Sequence, residues 1–214
     1  MIRLIQGNRA KKFPTEINSM FRARAKVFGE RLGWDVVIED GIERDEFDDA
    51  NPLYLIQFDP LTGEIGGSVR MLPTSGPNML GSCFAGKFDE PIDISSPLIW
   101  ECTRFCVHPA LFGERDPRSS FKIACEINLG VCEVGLFAGI EQIQAVYDEA
   151  MVRVYRKIGW EPEPMAKSDQ LGDRTVYVGL WDVNESILSR LRANLGVSKS
   201  IIEPEGIRFL QKVA

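Results

Sequence analysis

The chain has 214 residues, 44% hydrophobic and 26% charged, with a formal net charge of -6 from 31 acidic and 25 basic residues. That balance excludes disorder and a collagen-like chain, and the length suits one domain, 1–214, with a sizeable core. The acidic excess argues against nucleic acid or an anionic membrane as partner, and a single histidine, His108, excludes a multi-histidine metal site.

The first residues lack the apolar stretch of a signal peptide, and no window approaches 18 uninterrupted apolar residues, so a cytoplasmic protein is expected. Cys83, Cys102, Cys106, Cys125 and Cys132 are odd in number and sit in apolar segments, as buried thiols of a reducing compartment do. Cys102 and Cys106 near His108 lack a C-x-x-C companion; they read as core cysteines, and no metal is expected.

In chain order, residues 2–5 suit a first short strand. Residues 15–32 suit a helix with Ile17, Phe21, Phe28 and Leu32 near one face, started by Pro14 and Thr15 and stopped by Gly33. Residues 35–52 are polar and acidic and read as irregular, with a turn at 44–49. Strands at 53–59 and 65–72 flank Pro60–Gly63, which predicts a hairpin. Residues 73–97 read as loops around a short helix, and 98–107 as the strongest strand, ended by His108-Pro109. After a loop at 109–118 come a helix at 119–138, a strand at 142–147 and a helix at 149–158, with Asp148 as N-cap and Gly159 as stop. A strand at 175–182, a helix at 184–195 and a weakly patterned tail that accommodates a short helix complete the chain. This mixed order predicts a three-layer α/β or α+β sandwich with a mixed sheet. No G-x-G-x-x-G follows the first strand, and the full P-loop pattern G-x-x-x-x-G-K-[ST] is not met, because Phe88 follows Gly86-Lys87.

Several charges fall where charge is unusual. Arg24 shares the stripe of Ile17, Phe21 and Phe28, so it must pair, snorkel or bind an anion. Asp45 and Asp48, three apart, point the same way if 44–49 is a helical turn; a carboxylate pair can hold an ammonium or sulfonium, or be part of a solvated acidic loop. Glu101 and Arg104 lie inside the strongest strand, where alternation sends them to opposite faces; serving one site requires a β-bulge between them. Arg70, in the hairpin's second strand, has the fork that binds carboxylates, or faces outward from an edge. His108, before Pro109 at a strand end, reads as a loop-capping histidine, with a general base as the alternative. Arg153, Arg156 and Lys157 share one helix face, which either docks an acidic partner or is simply solvated.

The series Arg24-x-x-x-Phe28-x-x-x-x-x-Trp34, Asp45-x-x-Asp48, Arg70, Phe84 and Glu101-x-x-Arg104-Phe105 resembles the acyl-homoserine-lactone synthases, the LuxI-type autoinducer synthases of bacterial quorum sensing. The likeness spans residues 20–106; the later half matches in element order. It implies a three-layer α-β-α sandwich with a mixed, V-splayed sheet related to the GCN5-type N-acyltransferases. It also implies an acyl transfer from acyl-carrier protein or coenzyme A to the amine of S-adenosylmethionine, followed by ring closure and expulsion of 5′-methylthioadenosine. S-adenosylmethionine is then a substrate, and no cofactor is implied. The resemblance assigns Asp45 and Asp48 to the cationic groups, Arg24, Arg70 and Arg104 to the carboxylate, Phe28 and Trp34 to aromatic walls, and Phe84 to closing the pocket, with Phe105 completing the binding set. Glu101 becomes the leading general base, and backbone N–H groups near 104–106 the oxyanion donors. The acyl tail is expected between strands 98–107 and 142–147, lined by Trp100, Ile143, Ala145 and either Val146 or Tyr147. Bulky Tyr147 favours a short, branched or aryl acyl group over a long 3-oxo chain. Arg153, Arg156 and Lys157 would meet a carrier protein or coenzyme A phosphates. Two alternatives remain: an N-acyltransferase for another amine, disfavoured because 108–120 lack an R/Q-x-x-G-x-G/A loop, and a non-catalytic domain, disfavoured because the charged set is whole.

Overall fold

The computed structural model describes residues 1–110, 116–169, 171 and 174–213. Strand β1 (Ile2–Gln6) leads through a 3-10 turn (Gly7–Lys12) into helix α1 (Pro14–Arg24). The helix expected over 15–32 has that extent but changes type: Ala25–Arg31 continues as a π-helix. The wider π turn alters the phase of the stripe, leaving Leu32 exposed and Phe28 buried. Gly33, at φ 65°, takes the left-handed conformation that ends the segment. The stretch expected to be irregular contains a small hairpin, β2 (Ile38–Glu39) and β3 (Ile42–Glu43), turned through Asp40 and Gly41 at φ 50° and 75°. A 3-10 turn at Glu46–Asp48 follows.

The hairpin β4 (Leu53–Phe58) and β5 (Ile65–Pro73), the short helix α2 (Met79–Ser82), strand β6 (Ile99–Val107) and helix α3 (Pro117–Ala138) fall close to their expected positions. Part of the loop expected over 109–118, residues 111–115, lies outside the described residues. Strand β7 (Gln142–Asp148) runs into α4 (Glu149–Ile158), where the Asp148 side chain accepts the Met151 N–H at 3.1 Å and Gly159, at φ 86°, ends the helix. Strand β8 (Glu163–Ser168) was not anticipated, because Glu-Pro-Met-Ala-Lys-Ser has no apolar alternation. It is an edge strand, where a proline is tolerated. Strand β9 (Val176–Asp182), α5 (Glu185–Leu195) and α6 (Pro204–Val213) follow.

The seven-stranded sheet has the order β1-β4-β5-β6-β7-β9-β8; β6 and β7 run parallel, and the other neighbours antiparallel. Alternation along β4 shows the layers. Leu53 and Leu55 join the large core under α3, whereas Tyr54 and Ile56 pack with Met20 of α1 on the other face. Burying side chains such as Ile127 and Leu129 of α3 contributes about 1.5–3 kcal/mol each.

Strands β6 and β7 pair only at Ile99–Gln142, Trp100–Ile143 and Glu101–Gln144. Beyond Glu101 and Gln144 they diverge, which splays the sheet into a V. Among the described residues, no helix is long and apolar enough to cross a membrane.

Candidate active site

Charged residues from five separate segments meet on the α1 face of the sheet. Arg24, the last residue of α1, donates from Nη1 and Nη2 to the two oxygens of Asp48, both at 2.9 Å, and from Nε to Glu43. Arg70 of β5 grips Asp45 with both terminal nitrogens, reaches Asp48 Oδ1 at 3.0 Å and donates from Nε to Thr103 Oγ1 at 2.9 Å. Arg104 of β6 bridges Glu43 Oε1 at 2.9 Å and Asp45 Oδ2 at 2.8 Å. Three guanidinium groups thus interlock with three carboxylates. Arg24 and Arg70 are each 1% exposed, so the edge position considered for Arg70 is wrong: β5 is an interior strand.

The aspartates take the turn expected of them, with Asp45 as its N-cap: its side chain accepts the Phe47 N–H at 3.0 Å, while Asp48 accepts the Asp45 N–H at 3.0 Å. Asp48 also accepts the Tyr54 hydroxyl at 2.8 Å. With four hydrogen-bond donors and the Arg70 ion pair on its two oxygens, Asp48 is saturated and organises the arginines. Burial alone would raise its pKa, but the hydrogen bonds of Arg24 and the charges of Arg24 and Arg70 outweigh this and hold it well below the carboxylate range. Burial would likewise lower the Arg24 pKa, and the Asp48 and Glu43 carboxylates reverse that, so its net shift is upward.

The bulge required to bring Glu101 and Arg104 to one face is present. Ser68 pairs with Cys106 and Arg70 with Thr103, so Val69 alone opposes Arg104 and Phe105. Arg104 sits at φ 54°, a left-handed conformation unusual for a side-chain-bearing residue. As a result Thr103 and Arg104 both reach the charged cluster, whereas Cys102 and Phe105 turn to the α3 core and Cys106 returns to Val27 and Phe28. Phe105 is therefore on the face away from the cluster. Cys102 and Cys106 face opposite ways and cannot share an ion.

Glu101, 1% exposed, stands at the last paired position before the V opens. Its oxygens accept the N–H groups of Met79 and Leu80, each at 2.8 Å. Burial raises its pKa, more than the two N–H bonds, the Arg70 charge and the Gln144 amide lower it. The result is a rigidly held carboxylate with raised basicity. His108 instead lies buried against Ser68, its Nε2 at 3.0 Å from Oγ.

Phe28 and Trp34 stack at 4.9 Å between centroids; Phe28 is buried beneath Arg104 and Trp34 is half exposed. Phe84 packs beside Phe47, Leu72 and Met79. Trp100, Ile143, Ala145 and Tyr147 look to the α3 core, while strand alternation turns Val146 and Gln144 to the Glu101 face. Tyr147 lies against Tyr155, Tyr177 and Trp181 at 5.4–5.6 Å. A cleft of about 230 Å³ opens beside it, lined by Val152, Glu161, Pro162, Pro164 and Tyr177. Arg153, Arg156 and Lys157 are exposed on α4; Arg156 pairs with Glu161 at 3.3 Å, and Lys157 Nζ sits 4.6 Å from the Phe121 ring centroid.

Sequence reasoning missed Glu43, Tyr54, Thr103 and Gln144. Glu43 was one acidic residue among many between 39 and 49, and only the β2–β3 hairpin singles it out. The others are ordinary polar strand residues that pattern alone does not set apart.

The splayed mixed sheet between helical layers has the GCN5-related N-acyltransferase fold. The family model for autoinducer synthases matches residues 8–191. An acyl-homoserine-lactone synthase of Rhizobium etli is 47% identical over 197 residues, 91% of this chain and 90% of its own. The solved CoA-dependent acyl-homoserine lactone synthase MesI is 26% identical, with a TM-score of 0.78 over 95% of this chain and all of its own. That of BjaI with SAM and isopentyl-CoA has a TM-score of 0.82 at 24% identity, over 95% and 92% of the two chains. The chain belongs to the autoinducer synthase family and is an acyl-homoserine-lactone synthase.

Proposed function

We propose that the enzyme transfers an acyl group from a thioester, of coenzyme A or of acyl-carrier protein, to the amine of S-adenosylmethionine. The observation that carries this is the buried Glu101 carboxylate at the divergence of β6 and β7, beside the arginine–carboxylate cluster. The neutral amine attacks the thioester carbonyl. The C–N bond forms, the C–S bond breaks with its electron pair leaving on sulfur, and Glu101 takes the nitrogen's proton, directly or through water. Backbone N–H groups near the Arg104 bulge stabilise the oxyanion. The substrate carboxylate then displaces 5′-methylthioadenosine and closes the lactone. Asp45, whose side chain keeps 19% of its surface open, and Trp34 are the cluster's outward groups suited to the ammonium and sulfonium. Arg104, at 10% side-chain exposure, is the most accessible of the three arginines to a carboxylate. No metal or further cofactor enters this reaction. Release of methylthioadenosine from S-adenosylmethionine that depends on an acyl thioester is the expected result; release without thioester, or acylation of other amines at comparable rates, refutes the reading.

The acyl group lies on the Tyr147 side. The bulk of Tyr147, packed against Tyr155, Tyr177 and Trp181, favours a short, branched or aryl group there. Tyr147→Thr is expected to lengthen the preferred chain, read by mass spectrometry of the lactones produced; an unchanged product profile removes Tyr147 from the specificity set.

Arg153, Arg156 and Lys157 form the donor-docking face. Reversing all three charges is expected to lower kcat/KM for the donor about tenfold, with weaker salt dependence. Matched coenzyme A and carrier-protein thioesters show which donor depends on the face; unchanged values for both donors end its docking role.

A further inference from the structure

Gln144 is fully buried, yet neither amide atom has a hydrogen-bond partner. Buried side-chain amides are nearly always bonded, so this one requires an explanation. It is the register partner of Glu101, at the last paired position before β6 and β7 separate. The two groups are close enough for the amide to favour the ionised carboxylate, but they do not meet at hydrogen-bonding geometry.

The Met79 and Leu80 hydrogen bonds to the Glu101 side chain both come from backbone N–H donors. Donors of that kind suit the anion. A Glu101 that has taken a proton presents a new O–H, which needs an acceptor in a buried site. An amide carries both kinds of group, and rotating it end for end exchanges them.

We propose that Gln144 is the positioning residue of the Glu101 base, donating from Nε2 to the carboxylate and, after proton uptake, accepting the carboxyl O–H on Oε1. The proton moves from the substrate nitrogen to Glu101, and Gln144 gains and loses none. It rests on the reading of Glu101 as base.

Gln144→Met keeps the length and removes both groups. Expected is a fall in kcat of about tenfold, with KM for S-adenosylmethionine and for the thioester within about twofold. Gln144→Glu keeps size and polarity and places a second carboxylate beside the base; the acid limb of the kcat profile is expected to move up by about one pH unit. In a Glu101→Gln background, Gln144→Met is expected to add little, because the two residues act as one unit. The proposal is overturned if Gln144→Met keeps full kcat, if its loss appears in KM, or if it costs as much without Glu101. A change in melting temperature alone identifies a structural amide. Should Gln144→Met fail to fold, an unmoved acid limb in Gln144→Glu overturns the proposal by itself. If Glu101→Gln is fully active, the base reading fails, and that outcome is separate from the response of Gln144.

Discussion

Glu101→Gln is expected to slow single-turnover acyl transfer by about 10²–10⁴-fold, the usual contribution of a positioned general base. Glutamine preserves the shape but cannot take up the proton. It also sets an amide –NH₂ or C=O against the N–H groups of Met79 and Leu80, one of which then loses its acceptor. Part of the loss is therefore structural, and Glu101→Asp separates the two: a shortened carboxylate restores basicity at the wrong distance and should recover some rate. The pH dependence is a second signature. Burial raises the Glu101 pKa, so the carboxyl is protonated over a wider acidic range than a free glutamate. The acid limb of kcat should lie above the ordinary carboxylate value of about 4.3, and activity should fall as pH drops through it. Undiminished single-turnover transfer in Glu101→Gln would falsify the assignment.

Asp48→Asn is expected to destabilise the fold by about 3–5 kcal/mol, because it strips one partner from buried charges and leaves the rest. Arg24 loses its forked contact, and Arg70 loses one of its two acidic partners. The sign of the pH effect follows from the lowered Asp48 pKa. Its stabilisation is complete above the unfolded value of about 3.9 and is lost as pH falls through the depressed folded value. Wild-type stability should decline below about pH 4, and Asp48→Asn should flatten that decline. Urea unfolding midpoints between pH 3 and 7 measure both. Equal midpoints for the two proteins at neutral pH would remove the structural role given to the cluster. Removing both partners in Arg24→Met/Asp48→Leu should be milder than the sum of the single changes.

The fold was legible where the pattern was strong. The β4–β5 hairpin, β6, α3, and the Asp148 cap and Gly159 stop of α4 follow from alternation, helical spacing and turn residues. The β2–β3 hairpin was not, since strands of two residues have no period to detect. The π-helix was equally silent, because Ala25–Arg31 reads as an ordinary helix until its hydrogen bonds are seen. Arg24, Asp45, Asp48, Arg70, Glu101 and Arg104 stood out as charges in apolar or constrained places. Glu43 and Gln144 did not: a glutamate in an acidic loop and a glutamine in a strand gain meaning only from what is folded against them.

Backbone and side chain at position 104 prefer different amino acids. With φ at 54°, the main chain there suits glycine, by about 1–2 kcal/mol over a residue with a Cβ. The guanidinium ties Glu43 to Asp45, which glycine cannot do. A redesign that scored only local main-chain geometry would install glycine, relax the bulge and remove the cation that bridges Glu43 and Asp45, leaving each with a single arginine, Arg24 and Arg70. Thermostabilisation campaigns on this enzyme therefore have one position to hold fixed, where the apparently favourable exchange removes the group that the bulge exists to present.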